Sequence, residues 1–120
     1  MTEPRATKRE IRAAVKKWRK ILGLTGWEIS VTFGKDEDGA SASCLAQPEY
    51  RSAALVFDLT QIPQGQVDRF ACHELAHCWI WPLANAAHSL AKGDPAMEEW
   101  VRTEEERLTT ALEHILTRLT

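Results

Sequence analysis

One stretch constrains what this chain can fold into more than any other: HELAH at positions 73–77, an instance of the pattern H-E-x-x-H. On an α-helix, residues four apart lie on one face, so His73 and His77 project in the same direction, one turn apart. Two ring nitrogens at that separation can bind one zinc ion, each at about 2.0–2.1 Å. Glu74 is offset around the helix, so it can reach a water on the zinc without being a ligand, which is the place of a general base.

Two histidines on a helix can also belong to a metal-free core, and the flanking residues distinguish the two cases. Apolar side chains lie on both sides of the motif and predict a buried helix: Val67, Phe70, Ala71, Leu75, Trp79 and Ile80. A His-Glu-His group inside a core without a metal would leave polar groups in need of partners. The sequence therefore predicts a zinc site with His73 and His77 as metal ligands and Glu74 as the catalytic base.

Length and composition predict one globular domain over residues 1–120. The chain is 44% hydrophobic and 27% charged, which is typical of folded proteins and argues against overall disorder. No apolar run approaches the ~20 residues of a membrane span, and residues 1–8 lack the apolar segment of a secretory signal. Three cysteines without C-x-x-C spacing favour a reducing cytoplasm over a disulfide framework. Cys72 and Cys78 adjoin the histidines but point roughly 100° away on a helix, so we expect buried small hydrophobes.

The charges are distributed unevenly, although the formal net charge is only −2. Residues 1–20 contain eight Lys/Arg and two Glu, whereas residues 94–120 contain seven acids and three Arg. A basic arm with an acidic tail occurs in proteins that bind nucleic acid. More often such a pattern reflects two solvated helix faces, and we prefer that interpretation here.

Periodicity predicts an α+β fold. In chain order the expected elements are a helix over residues 5–22 with a capping box at Thr7 and Glu10, strands over Trp27–Phe33, Ala40–Ala46 and Ala53–Leu59, the motif helix from near Gln66 to Trp81, and a helix that opens at Asp94-Pro95 and runs to about Leu116. Pro82 is expected to end the motif helix. The sequence shows no internal repeat and no interior domain boundary.

A catalytic zinc usually has three protein ligands, so a third is expected downstream of the motif. Residue 83 is leucine, which excludes the extended motif with a third histidine six residues after the second. Glu98 shares a helical stripe with apolar residues, whereas Glu99 shares a face with Arg102 and other polar residues. Periodicity therefore favours Glu98, with Glu99 and His88 as alternatives.

HELAH, followed by EEWV at positions 98–101, resembles the gluzincin class of zinc metallopeptidases. More narrowly, the chain is similar to the minimal, stand-alone members, including small phage- and prophage-type metallopeptidases, whose preceding helix and strands resemble residues 18–31 and 53–58. The resemblance implies a zincin-like fold, Zn²⁺ on His73, His77 and Glu98, and Glu74 as base. It also implies a sheet of three strands, or four, whose edge could bind a peptide or protein substrate by β-augmentation. Tyr50 and His88 are candidates for the oxyanion-stabilising residue that many gluzincins carry.

Three functions follow from these observations. The first is a zinc metallopeptidase that hydrolyses peptide bonds. The second is a zinc-bound but catalytically silent module of the same fold, which the small size of the chain permits. The third is a DNA-associated protease that uses the basic N-terminal helix, although the chain lacks any added nucleic-acid-binding domain.

Overall fold

The computed structural model describes residues 4–119, so Met1–Glu3, where the segment examined for a secretory signal begins, and Thr120 lie outside it. The fold is α+β, with three helices and a small three-stranded mixed sheet, as the sequence predicts. The elements in chain order are α1 (Lys8–Ile21), β1 (Glu28–Phe33), β2 (Ala42–Gln47), β3 (Ser52–Phe57), α2 (Val67–Ala91) and α3 (Pro95–Leu119). Within the described residues, no helix is both long enough and apolar enough to cross a membrane.

Helix α1 is held at both ends by local hydrogen bonds. The predicted capping box is confirmed: Thr7 Oγ1 accepts from the Glu10 amide at 3.2 Å, and the Thr7 amide donates to Glu10 Oε1 at 2.9 Å. Thr7 is therefore the cap, which is why the helix begins at Lys8 rather than at residue 5. At the other end Gly23, with φ of +71°, ends the helix in a conformation that favours glycine. The buried face of α1 includes the fully enclosed Trp18.

Strand β3 is the centre of the sheet, in the order β1-β3-β2, with β1 parallel and β2 antiparallel to it. Leu55 and Phe57 of β3 are fully buried in the core between the sheet and helices α1 and α2. The strand ends at Phe57, two residues earlier than predicted, because Asp58 accepts the Thr60 amide and starts a turn of 3₁₀-helix. Strand β2 forms one edge of the sheet and packs on α2, where Cys44 Sγ lies 3.6 Å from Cys78 Sγ.

The prediction that Pro82 ends the motif helix is wrong, because α2 continues through it to Ala91. Pro82 is exposed, so its ring lies on the solvent side of the helix. The residues after it are rich in alanine and leucine, which have high helix propensity. Ala84 and Ala91 are also buried. Propensity and packing together outweigh the one backbone hydrogen bond that a proline removes.

Helix α3 runs back along α2 as the second arm of a helical hairpin. Asp94 Oδ1 accepts from the Met97 amide at 3.2 Å and Pro95 occupies the first helical position, which confirms the predicted opening. Successive contacts join later residues of α3 to earlier residues of α2, from His88–Glu105 to His73–Glu113, so the two helices are antiparallel. The outcome is that the middle of α3 faces the H-E-x-x-H motif.

Candidate metal centre

The two motif histidines lie on one face of α2, as their spacing predicts. Their ring centroids are 5.1 Å apart with an interplanar angle of 76°, and both side chains are largely buried. Glu106 of α3 meets both rings: its Oε1 lies 2.7 Å from His73 Nε2 and its Oε2 lies 3.5 Å from His77 Nε2. These three side chains offer ligand atoms that all lie within 4.8 Å of one another.

The remaining nitrogen of each ring faces a different carboxylate. His73 Nδ1 is 3.4 Å from Glu113 Oε1, and His77 Nδ1 is 3.2 Å from Glu105 Oε2. Glu105 and Glu113 are largely buried, so their side chains are fixed by packing. A carboxylate on one ring nitrogen holds the tautomer and the orientation of the ring, and leaves the other nitrogen with its lone pair directed outward. Both Nε2 atoms therefore converge on the same place.

The two orienting carboxylates have further partners that hold them in position. The second oxygen of Glu105 lies 2.8 Å from His88 Nε2. Glu113 Oε2 accepts from Arg69 Nε at 3.2 Å and lies 3.2 Å from His114 Nε2. His88, an alternative third ligand from the sequence, thus contacts Glu105, which in turn contacts His77. His88 is not among the three side chains whose ligand atoms converge.

Glu74 is buried beside His73 and lines a cavity of about 240 Å³. Burial raises the pKa of this carboxyl to about 8, and the negative charges of Glu106 and Asp36 add to the effect. The cavity lies between the motif helix and the start of β2, where Ser41 and Ala42 form part of its wall. A carboxyl group with a pKa close to neutral can both accept and release a proton at physiological pH.

The charges around the histidines are unbalanced. Four carboxylates lie close to them (Glu74, Glu105, Glu106 and Glu113), and within residues 4–119 Arg69 is the one lysine or arginine that contacts any of the four. Negative charge at a mostly buried position is costly unless a cation or proton compensates it. A cation held by His73, His77 and Glu106 would compensate part of this charge.

The donor atoms of His73, His77 and Glu106 are of a number and type that could hold a zinc ion. Two imidazole nitrogens and one carboxylate oxygen form a common ligand set of catalytic zinc, with the fourth position left for water. Ligand atoms at about 2.0–2.1 Å from a tetrahedral ion are separated by roughly 3.3–3.5 Å. The Nε2–oxygen distances of 2.7 and 3.5 Å are close to that spacing, so only small side-chain movements are needed.

Glu98, the favoured third ligand from the sequence, is not brought to the histidines. Its Oε1 accepts the amide of Gly93 at 2.9 Å, in the turn that precedes α3. Glu99 is also remote from the group and forms an ion pair with Arg102 at 2.6 Å. The carboxylate that meets the imidazoles is Glu106 instead.

The position of the hairpin turn explains this difference. Because α2 extends to Ala91, the histidines lie about four and five helical turns before its end. In an antiparallel hairpin the facing residues of α3 lie several turns after its start, whereas Glu98 lies in the first turn. Glu106 lies on the same polar helical face as Glu99 and is 59% exposed, so periodicity indicates a solvated residue there rather than a ligand. Burial is a poor criterion for a ligand at the mouth of a cleft.

Neither candidate for the oxyanion-stabilising residue lines the cavity beside Glu74. Tyr50 is exposed in the 3₁₀ turn between β2 and β3, and His88 contacts Glu105. The cationic side chain that does line this cavity is Arg69.

Comparison with known proteins adds no relative. No protein-family model matches the chain, and no curated protein or solved structure has significant similarity to it.

Proposed function

We propose that this protein is a zinc-dependent metallopeptidase of minimal, gluzincin-like type, with His73, His77 and Glu106 as metal ligands and Glu74 as general base. The observation that carries the proposal is the orientation of the two imidazoles. Both Nε2 atoms face Glu106, and both Nδ1 atoms face other carboxylates. That is the pattern in which metal-binding histidines are held, with one nitrogen for the ion and the other on an acceptor.

Glu74 supplies the proton transfers of the proposed reaction. It removes the proton of the attacking water and then donates that proton to the amine that leaves when the peptide bond breaks. Its pKa of about 8 suits both steps, since the carboxylate and the acid differ little in free energy near neutral pH. Zinc, when bound, would polarise the scissile carbonyl and make the water more acidic.

Strand β2 offers a place for the substrate. It is an edge strand, so its outer backbone groups can hydrogen-bond to an extended peptide that lies alongside it. The cavity at its start, bounded by Ser41, Ala42 and Glu74, has room for part of one substrate residue. An extended peptide on β2 would therefore pass the proton-transferring carboxylate, which supports peptide bonds as the substrate class.

Metal content tests the ligand assignment. We expect the purified protein to contain one zinc per chain, and the variants His73→Ala, His77→Ala and Glu106→Ala to lose it. Glu98→Ala is the matched control, because it removes the same side chain from the same helix without touching the imidazoles. Zinc retained in Glu106→Ala but lost in Glu98→Ala would overturn the assignment.

Activity on a broad peptide library tests the role of Glu74. Glu74→Gln should keep its zinc, because Glu74 is not a ligand, and lose activity by about 10²–10⁴-fold, the usual contribution of a general base. Full activity in this variant would exclude Glu74 as the base. A wild-type protein that binds zinc and cleaves no library member would instead favour the catalytically silent binding module.

A further inference from the structure

The outer side of the α2–α3 hairpin, away from the sheet, is unusually apolar. Five side chains make up what we call the hairpin face: Trp79 and Leu83 of α2, and Trp100, Leu108 and Ile115 of α3. They are 58%, 73%, 59%, 46% and 57% exposed, respectively. On each helix their spacing is that of a single stripe, so they form one surface rather than scattered residues.

The hairpin face is continuous and grooved. Two hollows lie along the seam between the helices, one of about 350 Å³ bounded by Trp79 and Ile115, the other of about 120 Å³ bounded by Trp100. Leu83 and Leu108 line both hollows, so the two are neighbours on one seam. Protruding side chains beside hollows of this size form a surface that can interlock with a similar one.

The apolar area matches what a stable dimer needs. At these exposures the two tryptophans and three aliphatic residues present on the order of 400 Å² of apolar surface. A standard interface buries about 800 Å² per partner, of which somewhat more than half is apolar. The hairpin face alone therefore offers about the apolar share of one standard interface.

The charge of α3 determines how two copies would be oriented. Three glutamates of α3 face the histidines (Glu105, Glu106 and Glu113). Of the remaining charges, the first half of the helix has three glutamates against Arg102, and the second half has Arg107 and Arg118. Parallel packing of two α3 helices would bring the glutamate-rich ends together. Antiparallel packing places each glutamate-rich end beside the arginine-bearing end of the other copy, which is the favourable arrangement.

We infer that the hairpin face binds a second copy of this chain, in a two-fold dimer whose α3 helices are antiparallel. A two-fold interface uses the same surface on both subunits, as a self-complementary apolar stripe allows. Leu108 is near the middle of the α3 stripe and so lies close to the two-fold axis. Each α3 then packs on the α3 of the other copy and each α2 on its α2, and the four helices enclose the tryptophans.

Light scattering of the full chain after size-exclusion chromatography, over about 5–200 µM, tests the inference through the mass of the particle. We expect twice the chain mass of 13.5 kDa. Leu83→Glu and Trp100→Glu should each weaken dimerisation at least tenfold with an unchanged circular-dichroism spectrum, because each places a charge in the interface. Tyr50→Glu is the matched control: it adds the same charge at a side chain that is 74% exposed outside the hairpin face, and should leave the dimer intact.

A cross-link tests the same arrangement without disturbing the face. Leu108→Cys should form a disulfide-linked dimer under mild oxidation, and the wild-type chain should not, since Cys72 and Cys78 are buried and Cys44 is half-buried. A monomeric wild type at every concentration would overturn the inference and leave the face to another protein or a lipid surface. A dimer that resists Leu83→Glu and Trp100→Glu, or that gives no Leu108→Cys cross-link, would overturn it as well.

Discussion

At the scale of single residues, Glu74 combines two properties that oppose each other. The side chain is buried, which disfavours its charged form, yet the proposed role of general base requires it to carry a negative charge before each turnover. Burial is the main cause of its pKa of about 8, and the negative charges of Glu106 and Asp36 raise the pKa further. A cation beside Glu106 would lower the pKa of Glu74. The destabilising effect of an ionised Glu74 on the fold should therefore be largest in the metal-free protein.

Metal-free protein should therefore lose stability as the pH rises. The folded-state pKa of Glu74, about 8, lies above its ordinary value of 4.5, so between these values the folded state binds more protons than the unfolded state. The stabilisation is fully present below pH 4.5 and is lost as the pH rises through 8. Relative to Glu74→Gln, which cannot titrate, wild type should lose on the order of 3 kcal/mol of unfolding free energy between pH 5 and pH 8.5.

Urea unfolding in the presence of a chelator, at several pH values, measures this difference. The other titrating groups are common to both proteins, so they largely cancel in the comparison. Parallel pH profiles for wild type and Glu74→Gln would show that Glu74 has an ordinary pKa and that the site around it is more solvated than the structure indicates.

At the scale of elements, the α2–α3 hairpin determines which side chains meet at the candidate metal centre. One helix contributes His73 and His77, the other contributes Glu106, and the turn between Ala91 and Pro95 fixes which residues face each other. Pro82 lies inside α2, where it has no amide to donate to the carbonyl of Cys78 one turn earlier. The helix therefore lacks one backbone hydrogen bond at this turn.

Replacing this proline should stabilise the protein. Pro82→Ala restores the missing amide and removes the clash of the ring with the preceding turn, and because Pro82 is exposed no cavity is created. The gain is reduced by the greater freedom of the unfolded chain, so we expect about 1–2 kcal/mol and a melting temperature higher by several degrees. Thermal unfolding followed by circular dichroism measures the change. A lower melting temperature would mean that the proline fits a bend on which the packing of α2 depends.

The hairpin also explains which features of the structure can be predicted from the sequence and which cannot. Local patterns were sufficient for the capping box at Thr7, the three strands and the start of α3, because the residues that decide them are neighbours in the chain. The continuation of α2 past Pro82 depends on packing as well as on helix propensity, and packing is not visible in a local pattern. The start of α3 is predicted correctly, but a motif helix that ends at Pro82 does not form a continuous hairpin with it. Which residues of α3 face the histidines is therefore not determined, and Glu106 is not indicated as a ligand.

At the scale of the whole molecule, α3 lies largely outside the main core of its own chain. The main core joins α1, the sheet and α2, and among the described residues α3 adds only the partly buried Leu116 to it. Within one chain, helix α3 packs principally on α2, so opening of this one seam would detach it while the main core stays folded. The proposed zinc ligands lie on both sides of this seam, with the histidines on α2 and Glu106 on α3.

Zinc should therefore protect α3 from hydrogen exchange more than it protects the rest of the molecule. A ligand that binds only the closed hairpin stabilises it by about 2.7 kcal/mol at one hundred times its dissociation constant. The population of the open hairpin then falls roughly a hundredfold, and hydrogen exchange from the open state slows by the same factor. We expect this protection across residues 95–119, and little change in α1 and β3, whose core does not depend on α3. Mass-spectrometric hydrogen exchange with zinc and with chelator measures it, and Glu106→Ala should abolish the difference. Uniform protection of the whole chain would show that α3 unfolds together with the core, and protection that persists in Glu106→Ala would place the metal elsewhere.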